Sequence, residues 1–185
     1  MPSPNQPSWE IRHETPADTA AADALVAKAF GPGRFAKSAY RLREGVDPDP
    51  RLSFVAIEDG TLRGSVRFWP IVVGQDPVLL LGPLAVQSDQ RGRGIGIALM
   101  QRGIEDAKQI DYSCIILVGD EPYYGRVGFA KIAAGKIRFP GPVDRARILG
   151  LALKPGSLEN LSGDVCRARI DQPVSADGAP LSAAR

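Results

Sequence analysis

Residues 90–96 read Gln90-Arg91-Gly92-Arg93-Gly94-Ile95-Gly96, and the chemistry these residue types support is the cradling of an anion. Glycine permits positive φ and close approach of backbone to a ligand. The unpaired N–H groups at a helix start carry a dipole that favours negative charge. Arg91 and Arg93 stand at the rim, where they either meet phosphate oxygens or face solvent. Two nucleotide-binding loops do not fit. Counted from Gly92 and Gly94, the dinucleotide fingerprint G-x-G-x-x-G needs glycine where Ile97 stands, and the Gly-Lys-Ser/Thr ending of a Walker loop is absent.

Other reactive side chains are scarce. The single histidine, His13, and the two cysteines, Cys114 and Cys166, are scattered along the chain, whereas zinc sites draw on clustered Cys and His; no metal is expected. The neighbours of His13 in Glu10-Ile11-Arg12-His13-Glu14 read as an exposed first strand, so a surface imidazole is favoured over a triad base. Cys114 lies inside the apolar Ser113-Cys114-Ile115-Ile116-Leu117-Val118 and reads as an inert core thiol rather than a nucleophile.

The elements that must position the glycine loop follow from periodicity. The run Val78 to Val86 is too continuously apolar for a one-sided strand, so it predicts a central strand buried on both faces. Pro83 has no N–H for a ladder, so this strand should bulge or part from one neighbour near Gly82-Pro83. Gly92 to Ile110 predicts a helix and Ser113 to Val118 the next strand, a parallel crossover. Upstream, Trp9 to Arg12 alternates as a strand, and Thr15-Pro16-Ala17-Asp18 predicts an N-cap with proline opening a helix to about Phe30. A second short helix is expected over Phe35 to Arg43. Leu52 to Glu58 and Thr61 to Val73 read as strands joined by the hairpin pair Asp59-Gly60. Downstream come a helical turn over Tyr123 to Val127 and strands at Phe129–Ile132, Ile148–Leu153 and Val165–Ile170. No internal repeat is present.

The loop matches the coenzyme A motif Gln/Arg-x-x-Gly-x-Gly/Ala of the GNAT family of N-acetyltransferases in full, as Arg91-Gly92-Arg93-Gly94-Ile95-Gly96. The order of Leu81-Gly82-Pro83-Leu84-Ala85-Val86, loop, helix, Cys114–Val118 and Tyr123-Tyr124-Gly125-Arg126-Val127-Gly128-Phe129 also resembles the GNAT core. Together with Leu151 to Leu158 it is similar to the YhbS-type branch. The resemblance covers residues 9 to 135 and is specific over 78 to 130. It implies an α+β fold: a mixed, mostly antiparallel sheet with a splayed parallel pair, flanked by helices.

It also implies a function, transfer of an acetyl group from acetyl-CoA to a primary amine of a small molecule or a protein. In the family the pantetheine arm lies between the splayed strands. That places backbone groups of Leu84, Ala85 and Val86 against the arm and thioester, and amides of Arg91, Gly92, Arg93, Gly94, Ile95 and Gly96 around the pyrophosphate. Tyr124 stands where the family's Tyr-x-x-x-Gly-Phe motif has the tyrosine near the coenzyme sulfur, a general acid for the thiolate; Tyr123 is its alternate. The strand carboxylate that the family often uses as base is missing from 78–86. Asp120 and Glu121 are candidates for base or for attracting a cationic amine, or belong to a solvated turn. The acceptor pocket is expected between the segment Phe30 to Tyr40, with Arg34, Phe35 and Tyr40, and the C-terminal strands. Direct transfer is preferred to an acetyl-cysteine route, and the missing carboxylate keeps open a non-catalytic acyl-CoA sensor.

Composition sets the outer bounds. At 185 residues, 44% apolar and 24% charged, the chain suits one soluble domain over 9–170, with tails at 1–8 and 171–185 rich in proline and small polar residues. A net charge of +2 gives no reason to expect nucleic acid. No apolar run nears 18 residues and no basic-then-apolar start is present, so neither a membrane partner nor a signal peptide is expected. Unclustered thiols suit a cytoplasmic protein, monomer or homodimer.

Overall fold

The computed structural model describes residues 7–33 and 38–168. In chain order the elements are β1 (Glu10–His13), α1 (Thr19–Phe30), α2 (Ser38–Arg41), β2 (Ser53–Glu58), β3 (Thr61–Val73), β4 (Asp76–Val86), α3 (Ile95–Ala107), β5 (Cys114–Val118), α4 (Glu121–Tyr124), β6 (Ala130–Lys131), β7 (Ile137–Arg138), β8 (Ile148–Ala152), α5 (Ser157–Asn160) and β9 (Gly163–Arg167). The central sheet runs β1-β2-β3-β4-β5-β8-β6, with β9 along the far half of β3 and β7 beside β9. It is antiparallel except at β4–β5 and the two-residue β7–β9 pairing. This is the α+β arrangement, a mixed and mostly antiparallel sheet with one parallel pair that parts, that the family resemblance implies.

Alternation along β4 explains why it lies at the centre. Leu79 and Leu81 enter one core with Phe54, Phe68, Leu99, Met100, Ile115 and Leu117. Val78 and Leu80 enter a second core on the opposite face with Ile71, Cys114, Ile116, Ile148 and Val165. Helix α3 closes the first face. A Cβ added at Gly103 would lie 2.5 Å from Cζ of Phe68, so the missing side chain lets the helix settle on that ring. Phe68 is fully buried, and its truncation to alanine would cost about 3–5 kcal/mol.

Several boundaries differ from those expected. Helix α1 opens at Thr19 because Asp18 turns back, accepting hydrogen bonds from Thr15 N–H (2.8 Å) and from Arg12 (2.7 and 2.8 Å); Thr15 is not the cap. Helix α3 starts at Ile95 rather than Gly92, since Gly92 and Gly94 have left-handed φ of 82° and 87°. The short β7 and α5 were not foreseen. The hairpin was: Asp59 and Gly60 both have positive φ, 49° and 71°, as a two-residue primed turn requires. Most of the two expected tails lies outside the described residues.

Candidate active site

Helix α3 presents its N-terminus as an open anion cradle. Gly94 forms the N-cap with φ 87° and ψ −2°, a conformation that favours glycine. The first bond of the helix runs from Ala98 N–H to the Gly94 carbonyl at 3.0 Å. The N–H groups of Ile95, Gly96 and Ile97 therefore have no acceptor within the helix. Nothing lies within 4 Å of a Cβ placed at Gly92 or Gly94, so the space before the loop is free. The two arginines part company here. Arg93 is held by Glu58 through a two-pronged ion pair (3.0 and 2.7 Å) and by Ser8 Oγ (2.7 Å). Those Arg93 bonds, with Ser8, hold the Glu58 carboxyl down to about 2. Arg91 is exposed and has no ion pair among the described residues.

From the cradle, a gap leads along β4. Strands β4 and β5 pair only at Leu79 with Ile115 and Leu80 with Ile116. Beyond them Leu84, Ala85 and Val86 keep their β3 partners Val66, Ser65 and Gly64 but have none on the β5 side. The irregularity expected at Gly82-Pro83 is present on the other edge too: β3 pairing jumps from Val66–Leu84 to Phe68–Leu81, leaving Gly82 and Pro83 opposite Arg67 alone. A cleft of about 910 Å³ opens at this point, lined by Leu81 to Leu84, Val118 to Asp120, Tyr124, parts of α1 and α2, and the loop 142–147.

The two adjacent tyrosines face different parts of the site. Their rings meet edge to face at 5.2 Å. The Tyr123 hydroxyl covers Gly96 so closely that a Cβ there would overlap it, which sets Tyr123 at the cradle. Tyr124 lines the cleft and lies against Gly119 and, edge on, Phe129. Burial, with Tyr123 and Asp120 nearby, pushes the Tyr124 phenol up to about 12, against the opposing pull of Arg147 and Arg43. At neutral pH it is a hydrogen-bond donor.

Charges around the cleft are mostly paired. Arg67 binds Glu14 (2.7 and 2.5 Å) and Asp23 (2.6 Å). Arg147 meets Asp120 at 3.2 Å. Glu121 turns away to Lys131 (2.9 Å) and is not in the cleft, so of the two carboxylates singled out in sequence only Asp120 lines it. Tyr40 and Phe30 are in its wall, while Arg34 and Phe35 lie outside the described residues. The opposite wall is the loop Pro142 to Arg147, not the C-terminal strands: β9 pairs with β3 at Ile71–Val73, away from the cleft. Cys114 belongs to the second core, and burial pushes its thiol up to about 11. His13 stacks on Phe54 and contacts the Arg51 carbonyl (3.1 Å), on no wall of the cleft. Two arginines escaped the sequence reading. Arg43 lines the cleft, and Arg126 stands near Tyr123 at the cradle.

A cradle, a parted strand pair and a cleft at the parting make a frame that can be compared with known proteins. The profile of the acetyltransferase (GNAT) family matches residues 19–134. The chain belongs to the GNAT family. It is similar to the uncharacterized N-acetyltransferase YhbS of Escherichia coli K12, with 33% identity over 147 residues, 77% of this chain and 87% of YhbS. The crystal structure of Escherichia coli YhbS in complex with CoA matches with a TM-score of 0.73 and 28% identity, covering 86% of this chain and 89% of that one. A GNAT acetyltransferase of Brucella melitensis in complex with acetyl-CoA gives a TM-score of 0.62 and 26% identity, covering 86% and 96%. In this GNAT chain the glycine motif and Leu84 to Val86 are contiguous along one gap, and Tyr124 stands where the gap meets the cleft.

Proposed function

We propose that this GNAT protein transfers the acetyl group of acetyl-CoA directly to a primary amine. The amine nitrogen attacks the thioester carbonyl carbon, a C–N bond replaces the C–S bond, the sulfur leaves with the bonding pair, and the nitrogen gives up a proton. The observation that carries the reading is the unpaired edge of β4 at Leu84 to Val86, which runs from an anion cradle to a cleft. CoA and acetyl-CoA complexes of similar proteins support it.

Each residue then has a task. Amides of residues 91–96 hold the pyrophosphate, with the Arg91 side chain free to join them and the Arg93 side chain engaged in bracing the loop through Glu58. The backbone at Leu84 to Val86 orients the extended arm and offers an N–H to the carbonyl oxygen as it gains charge. Asp120, the cleft carboxylate nearest in sequence to Tyr124, receives or relays the proton of an amine whose ordinary pKa near 10.4 keeps it protonated at pH 7. Tyr124 stabilises the departing sulfur. A phenol at about 12 lies roughly 3.5 units above a thiol of about 8.5, so completed transfer to a thiolate is uphill by about 5 kcal/mol. Tyr124 therefore acts as a hydrogen-bond donor to sulfur, with solvent supplying the final proton. Cys114, buried away from the cleft, forms no acetyl-enzyme.

The test is acceptor-dependent release of CoA thiol from acetyl-CoA across a panel of amines, with Tyr124→Phe as the key variant. Expected is a fall in kcat of about tenfold to a hundredfold with acetyl-CoA affinity within about twofold. Stabilisation by acetyl-CoA with no acceptor-dependent release would instead assign the protein to acyl-CoA sensing.

A further inference from the structure

Three arginines line the cleft, and they are not equivalent. Arg67 has Glu14 and Asp23, and Arg147 has Asp120. Arg43 has no carboxylate partner among the described residues. Its Nε is enclosed and makes no hydrogen bond, its Cζ stands 5.8 Å from the centroid of the Trp69 ring, and the neighbours that act on its charge are the neutral phenols of Tyr124 and Tyr40. Its Nη2 reaches Gly82, 3.1 Å from where a Cβ there would stand, at the point where β4 leaves β3 register. Burial pulls the guanidinium down to about 10, which is still charged at neutral pH.

An enclosed cation without a counter-ion is costly to a fold and is found mostly where a ligand supplies the missing charge. Guanidinium has a planar fork of donors that matches a carboxylate in two-pronged fashion. Arg43 repels a bare cationic amine at its own end of the cleft, whereas Asp23, Glu44, Asp120 and Asp144 on the surrounding wall attract an ammonium group. An amine that carries its own carboxylate would be drawn in by Arg43, with the amino group left near the parting of β4 and β5. The cation also disfavours the protonated form of an amine brought close to it, in a site whose central strand has no carboxylate between Val78 and Val86 to act as base.

We infer that Arg43 is the receptor for a carboxylate on the acceptor, so that the amine substrate is an amino acid or a similarly small carboxylate-bearing amine. The inference rests on the amine-transfer reading above and names the acceptor class for the same cleft. A volume of about 910 Å³ is within the range for small-molecule sites.

The experiment has two arms. In the first, CoA release from acetyl-CoA is followed with each common L-amino acid, its carboxamide and the amine lacking the carboxyl group, using wild type, Arg43→Met and Arg43→Lys. The best acceptor should be a free acid, favoured at least about tenfold in kcat/KM over its carboxamide, equivalent to about 1.4 kcal/mol. Arg43→Met should erase that preference through KM, Arg43→Lys should keep part of it, and acetyl-CoA affinity should be unchanged in both. Carboxamides or plain amines equal to the acids, or a loss in Arg43→Met that is uniform across the panel, would overturn the assignment. In the second arm, N-acetyl-L-amino acids and their amides are titrated against the CoA-saturated protein by calorimetry. Tighter binding of the acids to wild type but not to Arg43→Met is expected; equal binding of acids and amides overturns it. Acid-selective binding with no turnover in the first arm would sink the catalytic reading while leaving the carboxylate site standing.

Discussion

Replacing Gly119 by alanine moves the proposed catalytic phenol without removing it. Gly119 follows β5 directly and has an ordinary φ, so alanine is compatible with its backbone. A Cβ there lies 2.7 Å from Cδ2 of Tyr124, overlaps its Cε2, and stands 3.0 Å from Cδ1 of Leu117. Carbon atoms rest at about 3.5–4.0 Å, so the ring must retreat by roughly 1 Å. Misplacement of that size can cost on the order of a hundredfold in rate. Overpacking should lower stability by about 1–3 kcal/mol, which urea denaturation will measure and which leaves the protein folded. The assay is kcat with a turned-over amine, alongside acetyl-CoA affinity by calorimetry, in Gly119→Ala, Tyr124→Phe and the double variant. If Gly119 acts through Tyr124, the double variant matches Tyr124→Phe. A kcat within about threefold of wild type despite a displaced ring, or losses that simply multiply in the double variant, would refute the reasoning.

Gly94→Trp should abolish acetyl-CoA binding by filling the open space before α3, at about 1–2 kcal/mol of backbone strain; binding retained in calorimetry would remove the cradle assignment. Arg67→Met should destabilise the fold by about 3 kcal/mol, because Glu14, whose side chain is 8% exposed, is left enclosed without its partner; an unchanged urea midpoint would contradict that. Alkaline stability should fall between about pH 10 and 12. Burial raises the folded pKa of Tyr112 to about 12 against about 10 unfolded, so its contribution is whole below pH 10 and is lost as pH rises through 12. That loss is on the order of 2.7 kcal/mol. Tyr112→Phe should flatten the decline in urea titrations at pH 9 and 11.5, and should not weaken the fold at pH 7, where the Tyr112 hydroxyl is buried without a partner.

The strand–loop–helix–strand segment was legible because local and tertiary demands coincide there. The apolar run Val78 to Val86, short and bounded by turn residues, reads as a strand buried on two faces, and Pro83 within it lacks the N–H that regular pairing needs. The candidate site was legible as far as it is built from backbone and glycine. The opening of α1 was misread because Asp18 prefers Thr15 and Arg12 to the helix. Strand β7 has two residues and pairs with a partner 26 positions away, too little periodicity to detect. The far wall of the cleft falls in the irregular loop 142–147, where no pattern marks the fold. Arg43 shows the limit most sharply. The sequence places Arg41-Leu42-Arg43 at the end of the short helix expected over Phe35 to Arg43 and gives neither arginine a role, yet Arg41 reaches the Pro140 carbonyl (3.4 Å), Leu42 is 2% exposed, and Arg43 turns in over Trp69. No local rule separates two arginines two positions apart.

The two-residue pairing of β4 with β5 means that the protein carries a pair of sheet edges in its interior. Elsewhere edges are guarded by charge or cover because they invite foreign strands; here the pairing of β4 with β5 ends at Leu80 and Ile116, and the edge of β4 beyond it has no strand partner on the β5 side. If acetyl-CoA binds as proposed, the amides of its extended arm would join the two half-sheets into one. Its concentration would then become a term in the protein's stability, about 2.7 kcal/mol at a hundred times the dissociation constant. Hydrogen exchange at Leu84 to Val86 would register that closure directly, amide by amide.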